Sequence, residues 1–386
     1  MPRALDFFAG SGLVRLGLQP EFATIWANDN CPKKRAVYEA NHPADTFCSS
    51  DIQLVRGGDL PLSELAWASF PCQDLSLAGN LSGLGTGTRS GVFWEWIRVL
   101  NELNQAKKLP PIIVAENVVG FLVAHNGRFF RRAYAALRQL GYRVGAVVVD
   151  AELFLPQSRP RAFVIGVHKK IDLTGFTQAM PSPPFHPLGL MRTVGEINDN
   201  EWIWWSLPTP AARKIWFHDL CEHDAECDDI RKTEALCAML SPANRLKLDK
   251  AIRSDKFLVG TAYKRTRPNE SGQKTQRLEL RFDGIAGCLR TPEGGSSRQL
   301  VILVNRGRVQ SRLITVRECA RLMGAPDTYI LPGSYNDGYR AMGDAVAVPV
   351  TRWITSHLLA PLAERCHSGY VKTNNGSVAQ KSESVA

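Results

Sequence analysis

The segment Ser69-Phe70-Pro71-Cys72-Gln73 follows a short apolar run. A cysteine taken alone is more often a small buried hydrophobe than a nucleophile. Here Cys72 stands at the end of a strand candidate, where α/β sheets bind ligands, and Pro71 fixes the backbone just before the thiol. A carboxyl group follows a second apolar run at Glu116-Asn117-Val118, a place where a plain surface turn is the simpler reading. Two guanidiniums lie in Gln157-Ser158-Arg159-Pro160-Arg161, which by itself reads as a basic loop before a third run. A thiol can act as a nucleophile, a carboxylic acid as a proton donor, and cations beside the thiol favour its thiolate form. All three groups fall beside successive strand candidates, which argues against coincidence.

A second constellation lies at the N-terminus. Leu5-Asp6-Phe7-Phe8-Ala9-Gly10-Ser11-Gly12 is a strand candidate running into a glycine turn. Glycines at Gly10 and Gly12 let backbone approach a ligand closely, and Phe8 can lie against an adenine. The dinucleotide pattern is not met, because Arg15 stands where its third glycine would be. The next strand candidate ends at Asp29, placed to accept hydrogen bonds from ribose hydroxyls. Asp51 and Ile52 close a third unit and can frame an adenine edge. These residues favour a nucleotide-like ligand over plain turns and caps.

The elements that must position these groups are short apolar runs alternating with amphipathic stretches over the first ~170 residues. Strands are expected at Leu5–Phe8, Thr24–Ala27, Leu65–Ser69, Ile112–Ala115, Val144–Val149 and Ala162–Val167, with helices between them, clearest over Arg128–Leu140. Such alternation implies a largely parallel sheet covered on both faces. The pattern breaks at Met180-Pro181-Ser182-Pro183-Pro184, and the chain to about Asn305 reads as irregular, with an aromatic cluster at Trp202, Trp204 and Trp205. A short helix is expected over Thr315–Met323, opened by a capping box of Thr315 and Glu318. A last helix is expected from Pro349 to about Arg365. The Ser-rich stretch from Ser368 to Ala386 reads as a disordered tail.

Composition narrows the class. The chain has 386 residues and an apolar content ordinary for a soluble globular protein. No apolar run approaches the ~20 residues that span a bilayer, and the strand-like start leaves no room for a signal peptide, so a cytoplasmic protein is expected. Nine scattered cysteines do not suggest a disulfide framework. The formal net charge of +10 favours a polyanionic partner. The positive charge is concentrated: Ser241–Arg312 holds sixteen Lys or Arg against six Asp or Glu, whereas Asp219–Glu234 is acidic. A basic segment of this kind suits a surface that tracks phosphates, although charged loops also occur without such a role.

These motifs resemble the C5-type DNA cytosine methyltransferases, close to the bacterial restriction–modification methylases. The blocks occur in the family's order: Asp6–Gly12, Asp29, Asp51-Ile52, Phe70-Pro71-Cys72-Gln73, Arg89–Phe93, Glu116-Asn117-Val118, Gln157-x-Arg159-x-Arg161, Arg312–Gly324 and Gly343–Val346. The resemblance implies an α/β fold of the S-adenosylmethionine-dependent, Rossmann-like type, with a mixed sheet covered by helices on both faces and a smaller irregular target-recognition domain. It implies a catalytic and cofactor domain over 1–178, a recognition domain over 179–305, and a segment over 306–366 that returns to the first domain, with 367–386 as tail. It implies that Cys72 adds to carbon 6 of cytosine, that a protonated Glu116 meets N3, that Asn117 fixes the loop, and that Arg161 and Arg159 lie near the base. Phe8, Gly10, Gly12, Asp29, Asp51, Ile52, Pro71 and Ala345 would hold S-adenosylmethionine, with no metal required. The base would be flipped out of the duplex, and the glycine-rich stretch Gln73–Arg89 would close over it.

Double-stranded DNA is the implied partner. Ser76, Arg89 and Gln157 would lie beside it, and Lys264, Arg265, Arg267 and Arg298 are the recognition candidates, since arginine can pair bidentately with guanine. A cognate restriction endonuclease would belong to the same system without a stable complex, and a monomer is expected. Two positions depart from the family pattern. Asp344 stands where the last block usually has Asn, and Asn30 stands where some members have an aromatic against the adenine, which leaves more of that stacking to Phe8. His218, Cys221, His223, Cys227 and Cys237 lack zinc-finger spacing and read as incidental on an acidic helix. Three other readings stay open: the same chemistry on transfer RNA, a catalytically silent DNA-binding homologue, and a nicotinamide oxidoreductase, the last disfavoured by Arg15.

Overall fold

The computed structural model describes residues 1–71, 91–197, 199, 201–268, 271–290 and 298–366. Seven strands form the main sheet: β1 (Arg3–Phe7), β2 (Ala23–Asn28), β3 (Phe47–Cys48), β4 (Leu65–Ala68), β5 (Ile112–Val118), β6 (Tyr142–Asp150) and β7 (Pro160–His168). Their order is β3-β2-β1-β4-β5-β7-β6. β1 pairs in parallel with β2 and β4, and β4 with β5. β7 alone is reversed, antiparallel to both β5 and β6, so the sheet is mixed. All six expected strands are present, each within a few residues of its expected bounds, and β3 adds a short edge.

Alternation along each strand sends side chains to two cores. Ala4, Leu65, Trp67, Ile112 and Val114 face one, where they meet Leu13, Val14 and Leu18 of α1 (Leu13–Leu18). Leu5, Phe7, Ala66, Ala68, Ile113 and Ala115 face the other. Between β2 and β3 runs α2 (Pro32–Asn41). The second core is covered by α3 (Gly91–Gln105), the short α4 (Gly120–Val123) and α5 (Arg128–Gln139). With both faces covered, the central strands read as near-continuous apolar runs, which is why the sequence reveals them.

On either side of the prolines the chain packs against the main sheet as a small two-stranded sheet. β8 (Thr177–Gln178) pairs with β9 (Trp204–Trp205), with α6 (Leu188–Gly195) between them. The close approach of this segment depends on Gly145, where an added Cβ would lie 2.3 Å from the Ile203 carbonyl oxygen. Trp202 and Trp204 pack on the second core.

The stretch expected to be irregular holds a second sheet. α7 (Ile230–Ala238) and α8 (Pro242–Arg253) precede β10 (Leu258–Pro268), β11 (Lys274–Arg281) and β12 (Leu300–Asn305). β13 (Arg308–Leu313) completes an antiparallel sheet in the order β11-β10-β12-β13. Leu236, Leu240 and Leu248 pack against Leu278, Leu280, Ile302 and Val304. This sheet is hidden in the sequence because its outer strands are half polar: in β11 only Leu278 and Leu280 are buried between charged residues. An antiparallel sheet with one wet face needs no more than that.

The chain then returns to its start through α9 (Val316–Leu322), α10 (Tyr335–Asp344) and α11 (Val348–Ile354), the last continuing through a π-turn at Thr355–Leu359. The expected capping box is formed, with Thr315 Oγ1 accepting from Glu318 N at 3.0 Å and Glu318 Oε2 from Thr315 N at 2.8 Å. α11 lies so close to α1 that a Cβ on Gly17 would come within 2.5 Å of Thr351 Cβ. Among the described residues no helix is long and apolar enough to cross a membrane.

Candidate active site

The carboxyl ends of β4 and β5 lie side by side, and the turn that leads to Cys72 leaves β4 there. Ser69 N donates to the Phe7 carbonyl at 3.2 Å, and Ser69 Oγ accepts from Trp67 Nε1 at 2.9 Å. Asn117 Nδ2 donates to the Phe70 carbonyl at 3.0 Å, two residues before Cys72. Its Oδ1 accepts from Val118 N at 2.8 Å. Asn117 thus pins the thiol-bearing turn as well as its own loop. Cys72 itself, with Gln73, Ser76 and Arg89, lies outside the described residues, and Pro71 is the exposed last residue before them.

Glu116 is buried at the end of β5, with Arg161 Nε 3.5 Å from its Oε1. The register that pairs Val118 with Arg161 brings the guanidinium there. Burial pushes the Glu116 carboxyl up, and Arg161, then Arg159, then a hydrogen bond with Ser69 offset only part of that rise. The group therefore keeps its proton above the usual carboxylate range, as a general acid requires.

Arg159 is buried, and it donates to the carbonyls of Leu289 at 3.1 Å, Gly343 at 2.8 Å and Ala345 at 2.7 Å. It therefore joins the segment around Leu289 to the C-terminal block while its charge still acts on Glu116, and Arg161 is the arginine in direct contact with that carboxyl. Gln157 is likewise fully buried. Its Nε2 donates to the Leu322 carbonyl at 2.7 Å and its Oε1 accepts from Leu289 N at 3.3 Å, so its amide is used inside the protein and not toward DNA.

Cys288 is a residue that sequence reasoning missed. Its Sγ lies 3.3 Å from Arg159 Nη1 and 3.8 Å from Arg161 Nη2. Burial pushes the thiol up, but the charges of Arg159 and Arg161 outweigh it and hold the thiol below its ordinary value. No local pattern in Gly287-Cys288-Leu289 signals this, because both arginines are distant in sequence.

The residues expected to hold a cofactor at Phe8, Gly10, Gly12, Asp29, Asp51 and Ile52 gather along the same edge, after β1, β2 and β3. Asp29 Oδ2 accepts from Gly10 N at 3.1 Å and Oδ1 from Cys31 N at 2.9 Å, which locks the glycine turn to the second strand. Asp51 accepts from Asn30 Nδ2 at 3.0 Å and caps the turn that begins at Ile52, whose side chain is buried in the core. Phe8 has φ 57°, rare for a bulky residue, so the turn stores strain where a ligand would meet it. Gly12 has a different reason to be glycine. Its φ is +82°, and a Cβ there would lie 2.5 Å from the His42 ring and 2.9 Å from Tyr38. Arg15, at the third glycine position, is buried and donates to Tyr38 Oη at 2.8 Å and Thr46 Oγ1 at 2.7 Å.

Asp6 tests whether the methyl donor fits. It is fully buried beside the turn, and neither carboxylate oxygen has a hydrogen-bond partner. Burial pushes it well up, opposed by Arg15 and reinforced by Asp29. The carboxylates of Asp29, Asp51 and Asp344 around the turn suit a ligand that carries positive charge, as a sulfonium with an α-ammonium does, better than an anionic dinucleotide.

The expected DNA-contact residues Lys264, Arg265 and Arg267 lie on β10 of the second sheet. Arg265 and Arg267 on β10 both pair with Glu279 of β11, at 3.0 and 2.5 Å. Lys264 is on the same strand, and Arg298 donates to Asn336 Oδ1 at 2.5 Å. Arg290 ends the described stretch, and Thr291–Ser297 lies outside it.

The sequence matches the C-5 cytosine-specific DNA methylase family over residues 3–360. It is 32% identical over 364 residues to the Type II methyltransferase M.NgoBI of Neisseria gonorrhoeae, covering 93% of this chain and 94% of that one. It is 28% identical to M.NlaX of Neisseria lactamica, covering 94% and 98%. Two solved structures share the fold. The S. pombe Dnmt2 methyltransferase superposes with a TM-score of 0.58 at 19% identity, covering 94% of this chain and 99% of that one. A putative DNA modification methyltransferase from an E. coli prophage superposes with a TM-score of 0.53 at 19% identity, covering 95% and 100%. With the match running through both ends of the sheet edge just described, the chain belongs to the C-5 cytosine-specific DNA methylase family.

Proposed function

We propose that the protein methylates carbon 5 of cytosine within a specific double-stranded DNA sequence, through a covalent bond between Cys72 and C6 of a flipped base. The observation that carries this reading is the pairing of Glu116, buried and with its carboxyl raised by that burial, with Arg161, beside a turn that Asn117 pins two residues before Cys72. S-adenosylmethionine, implied by the family, supplies the methyl group as an electrophile on sulfur.

The chain's own residues supply the rest. The Cys72 thiolate forms a bond to C6, and the displaced electron pair moves toward N3, which takes the Glu116 proton. Carbon 5 becomes enamine-like and nucleophilic. Arg161 stabilises the carboxylate that Glu116 then carries. After C5 has gained its methyl group, a solvent base removes the C5 proton, N3 returns its proton to Glu116, and the C6–sulfur bond breaks to release the thiolate. The target carbon cannot be reached inside a duplex, so the base must leave the stack. The basic strand pair β10–β11 supports DNA as the substrate. In this reading the enzyme acts as a monomer, and a cognate endonuclease is a separate protein.

The test is transfer of labelled methyl from S-adenosylmethionine to unmethylated plasmid DNA and, in parallel, to bulk transfer RNA. Label in DNA that Cys72→Ala abolishes is the expected result, and bisulfite sequencing of that plasmid reads out the target site. Label confined to RNA overturns the substrate, and label in neither moves the silent-homologue reading to the front.

A further inference from the structure

Each nitrogen of the Arg161 guanidinium meets a different group. Nε lies 3.5 Å from Glu116 Oε1, Nη1 donates to the Pro160 carbonyl at 2.9 Å, and Nη2 reaches Cys288 Sγ at 3.8 Å. The Pro160 carbonyl belongs to the preceding residue and moves with the arginine's own backbone. The sulfur is the anchor that comes from elsewhere in the chain. It also accepts from Arg159 Nη1 at 3.3 Å. The two guanidiniums repel each other, and Arg161 adds to burial in lowering Arg159. An acceptor shared between two such cations offsets the repulsion and holds both. Burial raises the Cys288 thiol, but the charges of Arg159, Arg161 and Arg290 outweigh it, which strengthens the sulfur as an acceptor.

The backbone delivers the sulfur to this place. Gln157 and Ala286 form a parallel bridge, in which Ala286 N donates to the Pro156 carbonyl at 2.7 Å and Ser158 N to the Ala286 carbonyl at 2.9 Å. Cys288 follows Ala286 at the same interval at which Arg159 follows Gln157, so the register carries the thiol and the arginine onward side by side. From its other side the turn is held by β10: Tyr263 Oη donates to the Cys288 carbonyl at 2.7 Å. Gly287 lets the two approach, since a Cβ there would lie 2.5 Å from the Tyr263 ring. The thiol thus has a seat built from both sheets.

We propose that Cys288 is a positioning residue for methyl transfer: its sulfur holds the Arg161 guanidinium in the orientation that presents Nε to Glu116. The proposal rests on the reading of Glu116 as the acid that meets cytosine N3. It ties the chemical step to the second sheet, because Cys288 is carried by the chain between β11 and β12. Two accounts compete: Cys288 only fills space, or it touches DNA itself.

Single-turnover methyl transfer by the full chain to plasmid DNA separates them. Cys288→Ala should lower the rate at saturating DNA by about tenfold or more, the order expected for losing a hydrogen bond to a charged group. Cys288→Val, which fills the space without an acceptor, should lose as much and carries the test if the alanine chain does not fold. Cys288→Ser keeps an acceptor and should lose less than about threefold. A space-filling role predicts the opposite, with valine keeping the rate and alanine losing it. A DNA contact instead raises the half-saturating DNA concentration and leaves the saturated rate intact. In an Arg161→Met chain neither the alanine nor the valine change should alter the residual rate by more than about twofold, because the group being positioned is gone. Rates that follow volume, an effect confined to DNA concentration, or an equal loss in the Arg161→Met chain overturns the proposal. If the unaltered chain transfers no methyl group to DNA, the reading beneath the proposal fails first and takes it along.

Discussion

Glu116 can serve as an acid only while it keeps its proton, and its surroundings are arranged for that. Burial is the largest influence and raises the carboxyl, while Arg161 and Arg159 restrain the rise without reversing it. The sign is definite: a raised carboxyl is protonated below its shifted value and loses the proton as pH increases through it. The rate of methyl transfer at saturating DNA should therefore fall on the alkaline side of that value. Glu116→Gln should lower the rate by about 10²–10⁴-fold and remove this alkaline limb, with S-adenosylhomocysteine binding retained. A variant that keeps both the rate and the pH profile would deny Glu116 its role. The same two arginines lower the neighbouring Cys288 thiol as well, and there they outweigh burial and hold it below its ordinary value. One pair of cations thus acts in one direction on two groups of different chemistry.

At the scale of elements, Arg159 joins parts that come from three places in the sequence. It starts beside β7 and bonds to the carbonyls of Leu289, Gly343 and Ala345. Arg159→Met would leave those buried acceptors without a donor, which should cost about 2–4 kcal/mol, since unsatisfied buried groups cost ~1–3 kcal/mol each and some can relax. Arg161→Met, at a more open position, should change stability by less than about 1 kcal/mol and act on the rate instead. Urea denaturation of both variants distinguishes the two roles, and equal stability losses would contradict it. This division was not legible in Gln157-Ser158-Arg159-Pro160-Arg161, because residues two apart on a strand share a face, and only carbonyls distant in sequence, at Leu289, Gly343 and Ala345, set Arg159 apart from Arg161. The main strands were legible because burial on two sides leaves only apolar residues in Leu65–Ala68 or Ile112–Ala115. α10 was not: Tyr335–Asp344 contains two glycines and buries only one face, so its apolar residues form no visible stripe. Likewise Lys34 and Asp344 look like ordinary surface charges until the fold brings α2 and α10 together and pairs them at 2.9 Å.

For the whole molecule, positive charge and chemistry are separated: the arginines of β10 and β11 lie on the small sheet, whereas Glu116 and the turn before Cys72 lie on the large one. Arg265 and Arg267 share the single carboxylate of Glu279, which holds both in place before any phosphate arrives. In the proposed complex these arginines meet the DNA backbone or base edges. Arg267→Ala should then reduce the slope of log binding constant against log salt by about 1, if its contact is to one phosphate. Filter binding across a salt series reads this, and an unchanged slope with unchanged affinity would remove Arg267 from the interface.

The return of the last helices to the first has a consequence in time. Ser11 Oγ bonds to the carbonyl of Ala341, 330 positions later, at 3.3 Å, and Gly17 waits for Thr351. A ribosome adds ~5–20 residues per second, so the apolar side of α1 stays bare for on the order of tens of seconds after it is made. During that interval the glycine turn has no roof, and the nascent sheet depends on the cell to keep its open face from other chains. Synthesis that stops short of α11 would leave not a smaller enzyme but a sticky, unfinished one.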